Sequence, residues 1–163
     1  MAVGDFSIRN PLDTLVAMRR LVGSGTAASI NNGEPTKEGS AGAVAIMVDG
    51  DGTTSQNFSG IAKTVSTDTA SAAGEVYTWL PLPGLTYNGL AKTASNANTQ
   101  ALVDALVGKR VVFDLTGTAW TIDTGASNAS TNGVICMGGD FRVSTIHFVI
   151  GVNITKWGNP TTA

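Results

Sequence analysis

The sequence predicts a mainly β protein: a small β-barrel or β-tulip-like core with one short α-helix and an N-terminal arm. Two observations support this prediction. Apolar runs of strand length alternate with turns rich in Gly, Asn and Asp, and the chain contains 20 Gly but only 13% charged residues. This composition is typical of pleated sheets that are joined by tight turns. The expected strands occupy residues 41–48, 58–65, 75–80, 85–93, 110–115, 119–123, 133–137 and 144–152.

One segment, near residues 98–107, has a helical pattern. Asn98 is a suitable N-cap, and Gly108 stands where a helix commonly ends in a left-handed residue. The apolar stripe between them consists of Leu102, Val103, Leu106 and Val107. Because the helix is short, packing against the sheet must stabilise it.

The chain length of 163 residues fits a single domain with its own core. We expect an N-terminal arm at residues 1–13, one β-rich domain at 14–152 and a C-terminal tail at 153–163. The segment 13–22 fits either a short helix or an extended strand. We favour the extended form, because Gly23 ends the run too soon for a stable helix.

The composition argues against several classes of partner. The formal net charge is −2, and the few basic residues are scattered, so nucleic-acid binding is not expected. No apolar run is long enough to span a membrane, and the first residues do not resemble a secretory signal. A single cysteine excludes an internal disulfide framework and fits assembly in a reducing compartment.

The residues that could carry chemistry are isolated from one another in the sequence. His147 lies in an apolar strand pattern with no marked nucleophile or carboxylate, and Cys136 is expected to be buried. The segment Asp49-Gly50-Asp51-Gly52 begins like a calcium loop but lacks the later acidic ligands. We therefore expect no enzymatic activity, no catalytic residues, no metal site and no cofactor, and interpret Gly138-Gly139-Asp140 as a turn.

Aromatic side chains on strands are the more informative feature. In the segment 75–80, Tyr77 and Trp79 alternate onto the same face as Glu75. Exposed aromatic residues serve as anchors in protein interfaces and as stacking platforms for sugars. The pattern predicts an exposed aromatic strip at Tyr77 and Trp79 as a contact surface, to which Trp157 of the tail is added as a candidate. The alternative for Trp79, which stands beside Leu80, is a place in the core.

The chain resembles tailed-bacteriophage head decoration proteins, also called cement or capsid-stabilising proteins. The resemblance covers roughly residues 28–150 and rests on the order of several motifs rather than on any one of them. These motifs are Ile30-Asn31-Asn32-Gly33-Glu34-Pro35, a unit from Gly60-Ile61-Ala62 to Gly74-Glu75-Val76-Tyr77, Leu80-Pro81-Leu82-Pro83-Gly84, Asn98-Thr99-Gln100, Lys109-Arg110-Val111, and Asn132-Gly133-Val134 before Gly138-Gly139-Asp140.

The resemblance implies a structural protein that is made in the host cytoplasm and located on the exterior of a phage capsid, where it bridges subunits of the major capsid protein. It also implies self-association, with a trimer favoured over a dimer, and an arm that reaches neighbouring subunits. On this basis the expected partner-binding residues are Phe6, Ile8 and Arg9 in the arm, together with Tyr77, Trp79 and Trp157. The alternative is a carbohydrate-binding or adhesin-like β module that uses the aromatic residues.

Overall fold

The computed structural model describes residues 6–8, 17–23, 30–49, 58–82 and 85–151 of the chain. This part is mainly β and contains one α-helix, which confirms the fold class predicted from the sequence. The strands are β1 (Ser7–Ile8), β2 (Ala17–Val22), β3 (Pro35–Glu38), β4 (Val44–Ile46), β5 (Phe58–Ala62), β6 (Gly74–Trp79), β7 (Tyr87–Leu90), β8 (Arg110–Thr116), β9 (Ala119–Asp123), β10 (Val134–Asp140) and β11 (Thr145–Ile150). The helix, α1 (Gln100–Leu106), lies between β7 and β8.

Five strands form a closed barrel in the order β2-β4-β3-β5-β6. The ring is closed by β2 and β6, which pair antiparallel from Ala17 opposite Trp79 to Val22 opposite Gly74. Within the described ranges, β2 and β4 are the one parallel pair of the barrel. Residues 17–22 are therefore extended, which confirms for this part the extended form favoured for the segment 13–22. Residues 13–16 lie outside the described residues.

The other strands form a six-stranded sheet in the order β1-β7-β11-β10-β8-β9. This sheet curls so strongly that the chain after β7 reaches β9 at the other end of the strand order. Ala91, directly after β7, forms a bridge with Ile122 of β9, and the Lys92 amide donates to the Ile122 carbonyl oxygen at 2.8 Å. The sheet therefore nearly closes into a second barrel.

The main hydrophobic core combines residues of the sheet with residues on the outer wall of the barrel. Phe58, Ile61 and Trp79 belong to barrel strands, yet they pack in one cluster with Tyr87 and Phe113 of the sheet. Aromatic rings are central to this core: Phe58 stacks on Phe113 with a centroid separation of 5.7 Å. The barrel and the sheet are thus joined through a shared aromatic core.

Helix α1 packs on β10 with two of its four predicted apolar residues. Val103 and Leu106 are buried, whereas Leu102 and Val107 are exposed. The N-cap is Thr99, whose hydroxyl accepts a hydrogen bond from the Leu102 amide at 3.3 Å. The prediction of Asn98 as the cap was therefore wrong by one residue.

Two further local predictions need correction. The predicted strand 41–48 shortens to Val44–Ile46, because a 3₁₀ turn at Ser40–Gly42, with Ala41 in a left-handed conformation, precedes it. Gly138, Gly139 and Asp140 continue β10 instead of turning the chain. They do so through a bulge between Cys136 and Gly138, and the turn follows at residues 141–144.

Candidate interface on the barrel wall

The outer face of strands β2 and β6 presents a small mixed surface to solvent. Arg19 lies opposite Tyr77, and Leu21 lies opposite Glu75, in the antiparallel register of the two strands. All four lie on the side of the two strands opposite to Val22 and Val76, which belong to the cluster enclosed by the barrel. We call these four residues the Tyr77 face. Tyr77 is 43% exposed and Leu21 is 57% exposed, so the face combines an aromatic and an aliphatic side chain.

An ion pair fixes the polar side of this face. The Arg19 guanidinium donates to the carboxylate of Glu75, and both side chains remain accessible to solvent. An exposed pair of this kind contributes little to stability. It does hold two charges of opposite sign beside the ring of Tyr77, where they can take part in recognition.

The loop after β5 supports the backbone of Tyr77. The Tyr77 amide donates to the Thr64 hydroxyl at 3.1 Å, and its carbonyl oxygen accepts from the Lys63 amide at 2.7 Å. Further along, the Thr67 amide donates to the Glu75 carbonyl oxygen at 3.0 Å. The face is therefore built on a closed barrel whose neighbouring loop is tied to it, which limits the entropy that binding would cost.

Trp79 does not share the exposure of Tyr77, which corrects the prediction of an aromatic strip. The alternation was read correctly, since both residues lie on the outer side of the barrel. At Trp79, however, the wall is covered by the sheet, and the side chain is only 9% exposed within the main core. The indole Nε1 has no hydrogen-bond partner among the described residues. Trp79 therefore joins the barrel to the sheet and is not a surface contact.

Phe6 also lies in the core and not on the surface. Its side chain is 1% exposed and contacts the rings of Phe113 and Phe148, with centroid separations of 4.8 and 5.2 Å. Phe6 was predicted to bind a partner, but its ring is buried within the chain itself and is not accessible on the surface. Ile8 lies in β1, opposite Tyr87 of β7. Arg9 and Trp157, the remaining predicted contacts, lie outside the described residues.

The residues considered for chemistry are dispersed over the fold. His147 lies half-buried in the middle of β11, opposite Asn88 of β7 and Gly138 of β10. Cys136 is buried in β10, as predicted, and burial raises the pKa of its thiol to about 11, although the charge of Lys109 acts in the opposite direction. Asp49 accepts a hydrogen bond from the Leu115 amide at 3.3 Å. Within the described ranges, no group of three or more His, Cys, Asp or Glu residues could hold a metal ion.

Other exposed apolar side chains lie outside the barrel strands. They include Leu102 and Val107 at α1, Met137 of β10 and Val143 in the turn before β11. Val107 is brought near Met137 because the next residue, Gly108, donates its amide to the Cys136 carbonyl oxygen at 2.8 Å. None of these four side chains is aromatic, unlike Tyr77.

Sequence reasoning missed Arg19 and Leu21 as members of the candidate surface. The alternation of β2 was obscured by Arg20, because its charge alone would place it on the outer side of the barrel. In the structure Arg20 points into the barrel, and its Nη2 is 2.6 Å from Oε1 of Glu38. Strand alternation places Arg19 and Leu21 on one side and Arg20 on the other. It would have identified Arg19 and Leu21 as the outer pair only if Arg20 had been recognised as a cation inside the barrel.

Comparison with known proteins identified no relative. No family model, no curated protein and no solved structure matches this chain. In the part of the chain that the structure describes, no helix has the length and apolar character required to cross a membrane.

Proposed function

We propose that this chain is a structural protein of a phage virion, which decorates the capsid exterior and bridges subunits of the major capsid protein. The observation that carries the proposal is the Tyr77 face: an exposed Tyr and Leu beside a fixed Arg19–Glu75 pair. Protein interfaces are enriched in Tyr and Arg, which act as anchors, and a polar rim surrounds them. The motif order of the sequence supplies the link to decoration proteins.

The architecture supports this role physically. A closed barrel avoids free strand edges, which would promote unspecific association. The barrel is joined to the curled sheet through a shared aromatic core, so a load applied at the Tyr77 face is transmitted to both units. A protein that bridges capsid subunits needs such rigidity, because it holds two subunits together only if it deforms less than the contact between them.

Binding to capsids that lack this protein tests the proposal. Purified chain is mixed with such capsids and sedimented, and the bound fraction is measured as a function of concentration. We expect saturable binding that Tyr77→Asp weakens at least about tenfold, since a central aromatic anchor contributes about 2 kcal/mol or more. Val143→Asp is the matched control, because it places the same charge at an exposed apolar site in the turn before β11.

The control should bind like the unmodified chain. Absence of binding by the unmodified chain would overturn the proposal, and equal binding by the Tyr77→Asp variant would overturn the assignment of the face. Circular dichroism and thermal unfolding of both variants verify that the fold is retained, which their surface positions predict.

The alternative function is carbohydrate binding, and one observation favours it. Tyr77 offers an exposed ring beside Arg19 and Glu75, and sugar recognition combines ring stacking with charged hydrogen-bonding groups. Because Trp79 is buried, substitution of Trp79 cannot test this idea without disturbing the core. Glycan-array binding that Tyr77→Ala removes while the fold persists would support this alternative, and an array without signal would exclude it.

A further inference from the structure

The chain contains three Asn-Gly pairs, and the structure gives each of them a different environment. They are Asn32-Gly33, Asn88-Gly89 and Asn132-Gly133. An asparagine before glycine is prone to spontaneous loss of its side-chain amide, because glycine has no side chain to hinder attack by its backbone nitrogen. The dipeptide is the same in all three cases, so the fold decides which of them reacts.

Asn32-Gly33 forms the centre of an exposed turn. The Glu34 amide donates to the Asn31 carbonyl oxygen at 3.3 Å across the turn, and Gly33 has a φ of 89°, which favours glycine. The Asn32 side chain is exposed to water. The nitrogen that would attack it, the Gly33 amide, donates to the Ala62 carbonyl oxygen at 2.8 Å. Opening of this hydrogen bond frees the amide to react.

Asn88-Gly89 is held in the middle of the six-stranded sheet. It lies in β7, between β1 and β11, with Asn88 opposite His147 and Gly89 opposite Ile146. Gly89 also packs so closely on Phe6 that an added Cβ would lie 2.6 Å from the ring. Attack by the Gly89 nitrogen therefore requires this part of β7 to leave the sheet.

Asn132-Gly133 is protected through the asparagine side chain. Asn132 is only 4% exposed, and its Nδ2 donates to the carbonyl oxygens of Ser127 at 2.6 Å and Arg110 at 3.3 Å. The Gly133 carbonyl oxygen accepts from the Gly151 amide at 2.7 Å. These bonds hold the side-chain amide in place and keep it away from water.

We propose that Asn32 is a site of spontaneous modification, at which the asparagine is converted into aspartate and isoaspartate. The Gly33 nitrogen attacks Cγ of Asn32, so that an N–Cγ bond forms and the Cγ–Nδ2 bond breaks. Ammonia leaves with the proton of the Gly33 amide, and a succinimide ring remains. Water then opens the ring at either of its two carbonyl carbons. The reaction needs no reactant other than water, and the proposal does not depend on capsid binding.

The new carboxylate changes the turn and the contacts that the turn makes. The amide and the side chain of Asn31 donate to the carboxylate of Glu34, which is 7% exposed. Modification adds a second negative charge to the same turn, and isoaspartate also lengthens the backbone before Gly33. The Gly33 carbonyl oxygen accepts from the Phe6 amide at 3.1 Å. Displacement of Gly33 therefore loosens the attachment of the segment at Phe6 to the barrel.

Incubation of the full-length folded chain at mildly alkaline pH tests the site. Samples taken over time are digested, and mass spectrometry measures in each of the three peptides the gain in mass when an amide becomes a carboxylate. We expect Asn32 to react at least about tenfold faster than Asn88 or Asn132, because opening a turn costs less free energy than opening a sheet. Reaction at Asn88 or Asn132 as fast as at Asn32 would overturn the proposal.

Two controls define the result. In guanidinium chloride the unfolded chain should react at similar rates at all three sites, and it sets the time scale. If Asn32 of the folded chain stays unmodified for many times that period, the proposal is wrong. Asn32→Gln keeps the amide but disfavours ring closure, so its peptide should gain no mass. A gain equal to that of the unmodified chain would place the reaction at Asn31 and also overturn the proposal.

Hydrogen exchange measures the consequence for the fold. The modified form is separated from the incubated chain by its additional charge, and Asn32→Asp represents the aspartate product. In both we expect faster exchange of the Phe6 amide than in Asn32→Ser, which removes the side-chain amide without adding a charge. Exchange of the Phe6 amide at the same rate in the modified form and in Asn32→Ser would contradict the inferred loosening.

Discussion

The interior of the barrel and the core shared with the sheet are filled by different kinds of side chain. The barrel encloses a small aliphatic cluster that includes Val22, Val44 and Val76, together with an ion pair between Arg20 and Glu38. The Ser59 hydroxyl donates at 3.0 Å to Oε1 of Glu38, the oxygen that Arg20 also contacts. The shared core is larger and contains most of the buried aromatic rings, among them Phe6, Phe58, Tyr87, Phe113 and Phe148.

This contrast indicates different sources of stability and specificity. In the shared core, neighbouring aromatic rings have centroid separations of 4.8 to 5.8 Å, and they stabilise the fold by burial and packing. In the barrel, both charged side chains are only 10% exposed, so desolvation offsets much of their attraction. We infer that the aromatic core provides most of the free energy of unfolding and that the internal ion pair fixes how the barrel strands align.

The largest effect is expected from truncating an aromatic ring of the shared core. Phe113→Ala should lower the free energy of unfolding by about 4 kcal/mol, because Phe113 contacts the rings of Phe6, Phe58 and Phe148. Urea unfolding measures this loss. Phe113→Leu, which keeps most of the volume, is the control and should cost about half as much or less. A loss below about 1 kcal/mol for the alanine variant would show that the core does not dominate stability.

A slightly smaller effect, of a different kind, is expected inside the barrel. Glu38→Ala should cost about 3 kcal/mol, because it removes a carboxylate that compensates the charge of the largely buried Arg20 guanidinium. The double variant Arg20→Met with Glu38→Leu should recover most of that loss, since it removes both charges and keeps the volume. Equal destabilisation of the single and double variants would mean that the pair itself, rather than the uncompensated charge, provides the stability.

The helix that packs on β10 should contribute less. Thr99→Ala removes the hydroxyl that accepts from the Leu102 amide, and we expect a loss of about 1 kcal/mol in urea unfolding. Asn98→Ala is the matched control, since Asn98 lies one residue before the observed cap, and it should change stability by less than half that amount. A larger loss at Asn98 than at Thr99 would restore the cap predicted from the sequence.

The smallest effect is expected where β7 approaches β9. The ion pair of Lys92 and Asp114 lies there, and it is more exposed than the pair of Arg20 and Glu38 inside the barrel. Lys92 Nζ is 2.7 Å from Oδ1 of Asp114 and 3.5 Å from Oδ2 of Asp123. Partial burial by itself raises the pKa of Asp114, but hydrogen bonds from Lys92 and Thr116 outweigh it and leave the pKa below its ordinary value. The hydrogen bond to Asp114 raises the pKa of Lys92.

The direction of the Asp114 pKa shift determines how the stability of the fold depends on pH. A lowered pKa in the folded state means that Asp114 stabilises the fold above its unfolded pKa, about 4, and loses this contribution as the pH falls through the folded value. Asp114→Asn should therefore be slightly less stable than the unmodified chain at pH 7, and the two urea midpoints should converge as the pH is lowered below about 4. A difference that grows toward acid pH would contradict the assignment.

Much of the fold followed from local sequence patterns. The hairpin of β8 and β9, strands β5, β6 and β11, and the region of α1 were expected from apolar periodicity and turn residues, which act over a few positions. The boundaries were less accurate where a bulge or a left-handed residue intervened, as at Gly138 and Ala41. Such features depend on neighbouring strands, which a local pattern does not contain.

The candidate surface was predicted only in part, for a physical reason. Alternation placed Tyr77 and Trp79 on the same side of β6, but exposure depends on whether another sheet covers that side. The burial of Phe6 likewise depends on Gly89, far along the chain, which leaves space for the ring. Long-range contacts of this type decide which aromatic residues are available to a partner, and the sequence of one strand does not encode them.

The composition and structure of purified phage heads test the central claim most directly. If the chain decorates a capsid, mass spectrometry of purified particles should find it at a copy number comparable with that of the major capsid protein. Electron microscopy of the same particles should show the barrel and the curled sheet on the exterior, with the Tyr77 face against capsid subunits. Absence of the chain from the particles, or its presence with the Tyr77 face directed into solvent, would contradict the account.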